Sequence, residues 1–190
     1  MKKIQKGNYG YLGTQRKIET LKTILLFALS MAIFAVGYIT TGTKKNLFTV
    51  VAVVSVLPAA KQMATTVLYY KYGSGCADTY EKIAKHVKNV TCLSDIVITS
   101  YDKITELLHV AILGKTMIAY SHKEATEETS GAEFIKNILE RNGYKGISVK
   151  IYKDEQAYIT RLKEMQENLE KERKITLEEE IASIIKAISI

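Results

Sequence analysis

The chain has 190 residues and a mass of 21.3 kDa, a length that accommodates one or two compact units and excludes a large multidomain machine. Charged residues make up 25% and hydrophobic residues 47%, with no Trp and a single Pro, and the net charge of +7 is concentrated near the N-terminus. Two cysteines, Cys76 and Cys92, exclude a disulfide framework, and three histidines without clustered spacing argue against a zinc site; the expectation is reduced thiols and no metal or cofactor.

Residues 1–22 form a basic leader. Lys2, Lys3, Lys6, Arg16, Lys17 and Lys22 face one acid, Glu19, for a net +5. Tyr9, Tyr11 and three glycines are interleaved with these bases, and cations beside ring faces on a pliable backbone suit phosphate neutralisation and base stacking. The simpler reading of such a juxtamembrane segment is that it sets topology and touches anionic lipids.

Residues 23–72 are expected to form a transmembrane helical hairpin. Thr23 to Thr43 carries no charge, and 21 residues at 1.5 Å each match a hydrocarbon core of roughly 30 Å. Leu47 to Tyr70 is long enough for a second span but contains Pro58 and Lys61, so a kinked span competes with an interfacial helix. No acid lies within the first apolar stretch to pair with Lys61, which is expected to snorkel. The leader bases and Lys71 flank the hairpin on one side, so the positive-inside rule places both termini in the cytoplasm. Tyr69, Tyr70 and Tyr72 suit an interfacial belt, followed by Gly73, Ser74 and Gly75 as a flexible joint.

Residues 73–153 read as a small α/β domain. Residues 77–88 have helical apolar spacing through Tyr80, Ile83, Ala84 and Val87; 93–99 is β-branched and reads as a strand. Residues 106–123 divide around Gly114 and Lys115 into a hairpin, although the first arm also fits a helix. Ser130 and Glu133 form an S-x-x-E capping box before a helix with Phe134, Ile135, Ile138 and Leu139 on its buried stripe. Asn142 and Gly143 end that helix, and Ile147 to Tyr152 alternates as a strand. Residues 154–190 are expected to be C-terminal helices, a charged one over 154–174 and an amphipathic one capped by Thr176, forming a tail on the domain.

The order over residues 77–152 resembles restriction-endonuclease-like folds, including the nuclease-related NERD-type domains. In that family two carboxylates on the hairpin hold a divalent cation and a lysine stabilises charge on the phosphate. The matching positions here are Leu108 beside His109, and Ser121, His122 and Lys123, of which only Lys123 fits. The resemblance therefore implies a scaffold that binds without cleaving, and the chain is expected to be non-enzymatic. Asp95 and Glu106 remain as alternative carboxylates near the hairpin.

A second basic stretch, Lys136, Arg141, Lys145, Lys150 and Lys153 against Glu140, carries net +4, and Ser148, Lys150 and Tyr152 share one face of their strand. Together with Lys123 it makes a candidate nucleic-acid patch; the competing reading is a solvated face. Two adjacent apolar spans, the segment Lys45 to Lys61 and the basic ends resemble in layout the small membrane proteins associated with OLE RNA, a large structured noncoding RNA of Gram-positive bacteria. That resemblance implies a bacterial cytoplasmic-membrane protein, acting as a homodimer, that tethers structured RNA. Two alternatives stay open: a membrane-tethered nuclease-like regulator, and a protein-interaction subunit whose C-terminal helices pair with another membrane protein.

Overall fold

The computed structural model describes residues 4–100, 104–122, 126–167 and 174–190, which form two compact units: Leu12–Gly73, and Met1–Tyr11 with Ser74–Ile190. The first unit is an antiparallel helical hairpin. Helix α1 runs Tyr11–Thr41 and α2 runs Leu47–Lys71, both long and apolar enough to cross a membrane.

Small residues let the two helices approach. On α2 the seam is Ala52, Ser55, Ala59, Gln62, Thr66 and Tyr69, at steps of three and four residues, so one stripe faces α1 while Val53, Leu57 and Val67 face outward. The seam is also polar. Ser55 donates to Ser30 at 2.8 Å, and Thr23 and Thr66 share a bond of 2.7 Å. Gln62 donates to Glu19, which also takes Lys22 at 2.8 Å. Asn46 caps α2 by accepting from the Thr49 N–H at 2.8 Å, and its amide ties the loop to the Gly37 carbonyl at 3.0 Å.

Two expectations for the hairpin change, the start of its first helix and its aromatic end. Helix α1 begins twelve residues before Thr23, so its own Glu19 reaches α2 and meets Gln62; the neighbouring Lys61 is exposed, like the outward apolar residues of α2. Pro58 lies within α2 without ending it. Of the three aromatic residues at the end of α2, Tyr69 is buried in the seam and only Tyr70 is openly exposed.

The second unit is a four-stranded mixed sheet between two pairs of helices. Helix α3 (Ala77–Ala84) precedes β1 (Thr91–Thr99), β2 (Ile104–Leu113) and β3 (Thr116–Tyr120); α4 (Glu128–Arg141) then leads to β4 (Ser148–Tyr152), followed by α5 (Glu155–Glu167) and α6 (Ile175–Ile188). The strands lie in the order β1-β2-β3-β4, antiparallel until β3, with β4 parallel to β3. Register pairs Ser94 with His109, His109 with Tyr120, and Tyr120 with Tyr152. Helices α4 and α6 cover one face through Ile135, Leu139, Ile181 and Ile185. Helices α3 and α5 cover the other through Ile83, Tyr158, Leu162 and Met165.

The C-terminal helices are thus walls of the core, and the expected tail does not exist. Their stripes are apolar because the sheet needs covering on both faces. The ambiguous first arm of the hairpin is strand β2, paired on both sides. Helix α3 stops at Ala84 and unwinds through a turn to Asn89, whose φ is +50°. Neither expected cap forms: α4 starts at Glu128, leaving Ser130 inside its first turn, and α6 starts at Ile175, ahead of Thr176. The start of α6 is held instead by Glu178, fully buried, which accepts from Lys174 N–H at 3.1 Å, Gly114 N–H at 2.9 Å and Thr91 hydroxyl at 2.8 Å. One carboxylate satisfies donors from a helix start, a hairpin turn and a strand end.

Candidate nucleic-acid interface

The leader residues separate into two groups. Lys2 and Lys3, with Lys123 of the nuclease-like motif, lie outside the described residues. Residues from Ile4 to Tyr11 belong to the α/β unit and run along the outer edge of β1, where the Gly7 carbonyl accepts from Ser94 N–H at 2.7 Å. The other end of the chain lies on the same edge: Ser189 bridges Ile98, and Ile190 donates to Val97 at 3.0 Å. Lys6 spans the two termini, donating to the Ser189 carbonyl at 2.5 Å, and partial burial lowers its pKa.

Tyr9 is stacked on Tyr80, with ring centroids 4.1 Å apart and planes within 9°, and its hydroxyl donates to the Gly75 carbonyl at 2.8 Å. Burial and the nearby Asp95 raise its pKa. Tyr80 thereby covers one face of the ring expected to take a base. Asp95 itself has φ +54° and is buried; its Oδ2 accepts from Gly10 N–H at 2.7 Å and from the Ser74 hydroxyl at 2.5 Å. Ser74 and Gly75 are therefore held on the α/β unit, where a Cβ on Gly75 would stand 2.6 Å from Leu108; of the expected flexible joint, Gly73 alone borders open space.

Tyr11 opens α1, and Arg16 and Lys17 lie on its first turns within the helical hairpin. The Arg16 guanidinium sits 5.2 Å from the Tyr70 ring, and Lys17 is exposed. Arg16, Lys17, Thr20, Leu21, Ile24 and Tyr70 line one groove, bases at one end and aliphatic carbons at the other. That composition suits a lipid headgroup and its upper acyl chain better than a base.

The positions that would carry nuclease chemistry are part of the core. Leu108 is 2% exposed and Ser121 is fully buried. His109, next to Leu108 on β2 and paired in register with Tyr120, is hydrogen-bonded through Nδ1 to the Tyr158 hydroxyl at 2.6 Å, and burial pushes its pKa down to about 4. Tyr80 and Tyr158 flank its ring. Cys92 is half-buried against the same cluster, and burial pushes its thiol up to about 12. Among the described residues, no three His, Cys, Asp or Glu side chains converge as metal ligands.

The second basic stretch is brought together along β4. Lys150 is exposed, its ammonium 4.8 Å from the Tyr152 ring on the same face, while Lys145 and Lys153 are exposed beyond the two ends of the strand. Tyr152 meets Tyr158 of α5 edge-on at 6.2 Å, so this face of β4 is the face that α5 covers. Lys136, on the helix behind the sheet, reaches the edge groove that Lys150 also lines, but Glu128 and Glu133 line it too and Glu140 stands 4.0 Å away. Arg141 is exposed at the end of α4.

Sequence reasoning missed a third cluster. Lys85, His86 and Lys88, in the turn after α3, meet Lys163, Gln166 and Glu167 of α5 around a cleft of about 440 Å³. Nearly eighty residues separate its halves, so spacing gave no signal. Comparison with family models, with curated proteins and with solved structures finds no match for this chain.

Proposed function

We propose that the protein is a non-enzymatic membrane anchor that holds structured RNA at the bacterial cytoplasmic membrane, with both termini on the cytoplasmic side. The observation that carries this reading is the β4 edge, where Lys145, Lys150 and Lys153 are exposed in succession and Lys150 lies over the Tyr152 ring. Cations spaced along a strand beside an aromatic face fit a phosphate backbone, which supplies most of the affinity for nucleic acid. The burial of Leu108 and Ser121 supports binding without cleavage. Two apolar helices joined by a short capped loop support anchoring, and the groove of Arg16 and Tyr70 supports contact with lipid headgroups.

The test uses the full chain in phosphatidylcholine nanodiscs with transfer RNA as the probe. Binding is expected to weaken steeply with salt, and replacing Lys145, Lys150 and Lys153 by Gln should reduce the salt slope by about one for every phosphate no longer neutralised. Equal binding by wild type and variant at every salt concentration would remove the reading.

A further inference from the structure

The α3–α5 cleft has a composition that the rest of this face lacks. Other cations of these helices have acids: Lys82 lies 3.7 Å from Glu155, and Arg161 lies 2.9 Å from Glu164. Lys85, Lys88 and Lys163 are exposed and, among the described residues, form no ion pair and share their cleft with one acid, Glu167. Like charges brought around one cavity repel, so the arrangement is relieved by an anion seated among them. The cleft is also built. Gln166 Nε2 donates to the His86 carbonyl at 2.8 Å, pinning the turn that carries Lys85 and Lys88 to the helix that carries Lys163.

Its place in the fold relates it to β4. Helix α5 starts beside Tyr152 and ends at the cleft, and its 13 residues span roughly 20 Å at 1.5 Å each. Lys153 therefore stands just before the start of this helix, and Lys85, Lys88 and Lys163 stand at its end. A single phosphate would need only one end; two cationic sites this far apart match a ligand that repeats its charge over tens of ångströms.

We propose that the Lys85–Lys88–Lys163 cleft is a second phosphodiester-binding site, which grips the same RNA that lies on β4 at a separate stretch of its backbone. This rests on the RNA reading above and adds to it where the second contact is made. A protein with both sites would favour RNA folded enough to present two backbone segments across α5 over a short single strand.

The experiment compares wild type with K85Q/K88Q/K163Q and with K85R/K88R/K163R, each as the full chain in phosphatidylcholine nanodiscs, using transfer RNA and a ten-nucleotide poly(U) as probes. All three lysines are exposed, so circular dichroism and melting temperature should not change. The Gln variant should lower the salt slope for transfer RNA by about two to three and bring its affinity close to that for poly(U). The Arg variant should restore both. If wild type binds transfer RNA and loses it on replacement of Lys145, Lys150 and Lys153, yet the cleft Gln variant binds like wild type, the cleft proposal fails alone. If wild type binds no RNA, both readings fail together. A defect of the Gln variant seen only in discs containing phosphatidylglycerol would overturn the proposal and give the cleft to lipid headgroups.

Discussion

Asp95 accepts the backbone N–H of Gly10 at 2.7 Å across 85 residues of sequence. Gly10 is the last residue before α1, and the second group that Asp95 holds, the Ser74 hydroxyl, follows α2 by three residues. The segments that lead into and out of the helical hairpin are thus fastened at one buried carboxylate. Gly10 has φ +84° and Asp95 φ +54°, conformations that Gly and Asp tolerate better than most residues.

Replacing Asp95 by Ala should therefore cost about 2 to 4 kcal/mol, since two donors lose a charged acceptor. Asn, which keeps an acceptor oxygen and accepts a positive φ, should cost less. The measurement is limited tryptic cleavage after Lys6 in the leader. Cleavage should accelerate strongly in Asp95→Ala and weakly in Asp95→Asn; equal protection in all three proteins would mean that the carboxylate is not the fastener.

His109 predicts a dependence on acidity. Its folded pKa of about 4 lies below the ordinary histidine value of 6.5, because burial disfavours the imidazolium. Between these values the unfolded chain binds the proton and the folded one does not, so stability falls as pH drops from 6.5 to 4, by about 3 kcal/mol over the window. The stability of His109→Gln should vary less than wild type over the same interval, as measured by urea denaturation at each pH. Parallel curves would place the titration elsewhere.

Gly37 lets α1 approach the start of α2 closely. A Cβ there would collide with the Cβ of Phe48, a side chain fixed to α2 near its start. Gly37→Leu should push the helices apart at that end, at a cost of roughly 1 to 3 kcal/mol from overpacking. Disulfide trapping reads this out: in a chain with Cys76 and Cys92 changed to Ser, cysteines placed at Ser30 and Ser55, whose oxygens are 2.8 Å apart, should cross-link readily. The Gly37→Leu substitution should slow that cross-link severalfold, and an unchanged rate would show that the seam adjusts.

What the sequence determined by itself are the features that local pattern encodes. An uncharged run from Thr23 to Thr43 can only be satisfied as a long apolar helix, and alternation in Ile147–Tyr152 or three-and-four spacing in α4 reports one buried face. The order of helix, strand, hairpin, helix and strand followed from these periods. The tertiary structure decided the features that depend on residues far apart. Tyr9 looked free for a base because its partner, Tyr80, lies 71 residues away, and Lys6 looked free because its acceptor is at the other terminus. The helices after β4 looked like a tail because an amphipathic stripe does not say what it covers; only the assembled sheet, apolar on both faces, supplies the answer. Glu178 and the Lys85–Lys88–Lys163 cleft were invisible for the same reason. A carboxylate's three donors and a cleft's facing lysines are neighbours in space alone, and no period along the chain records them.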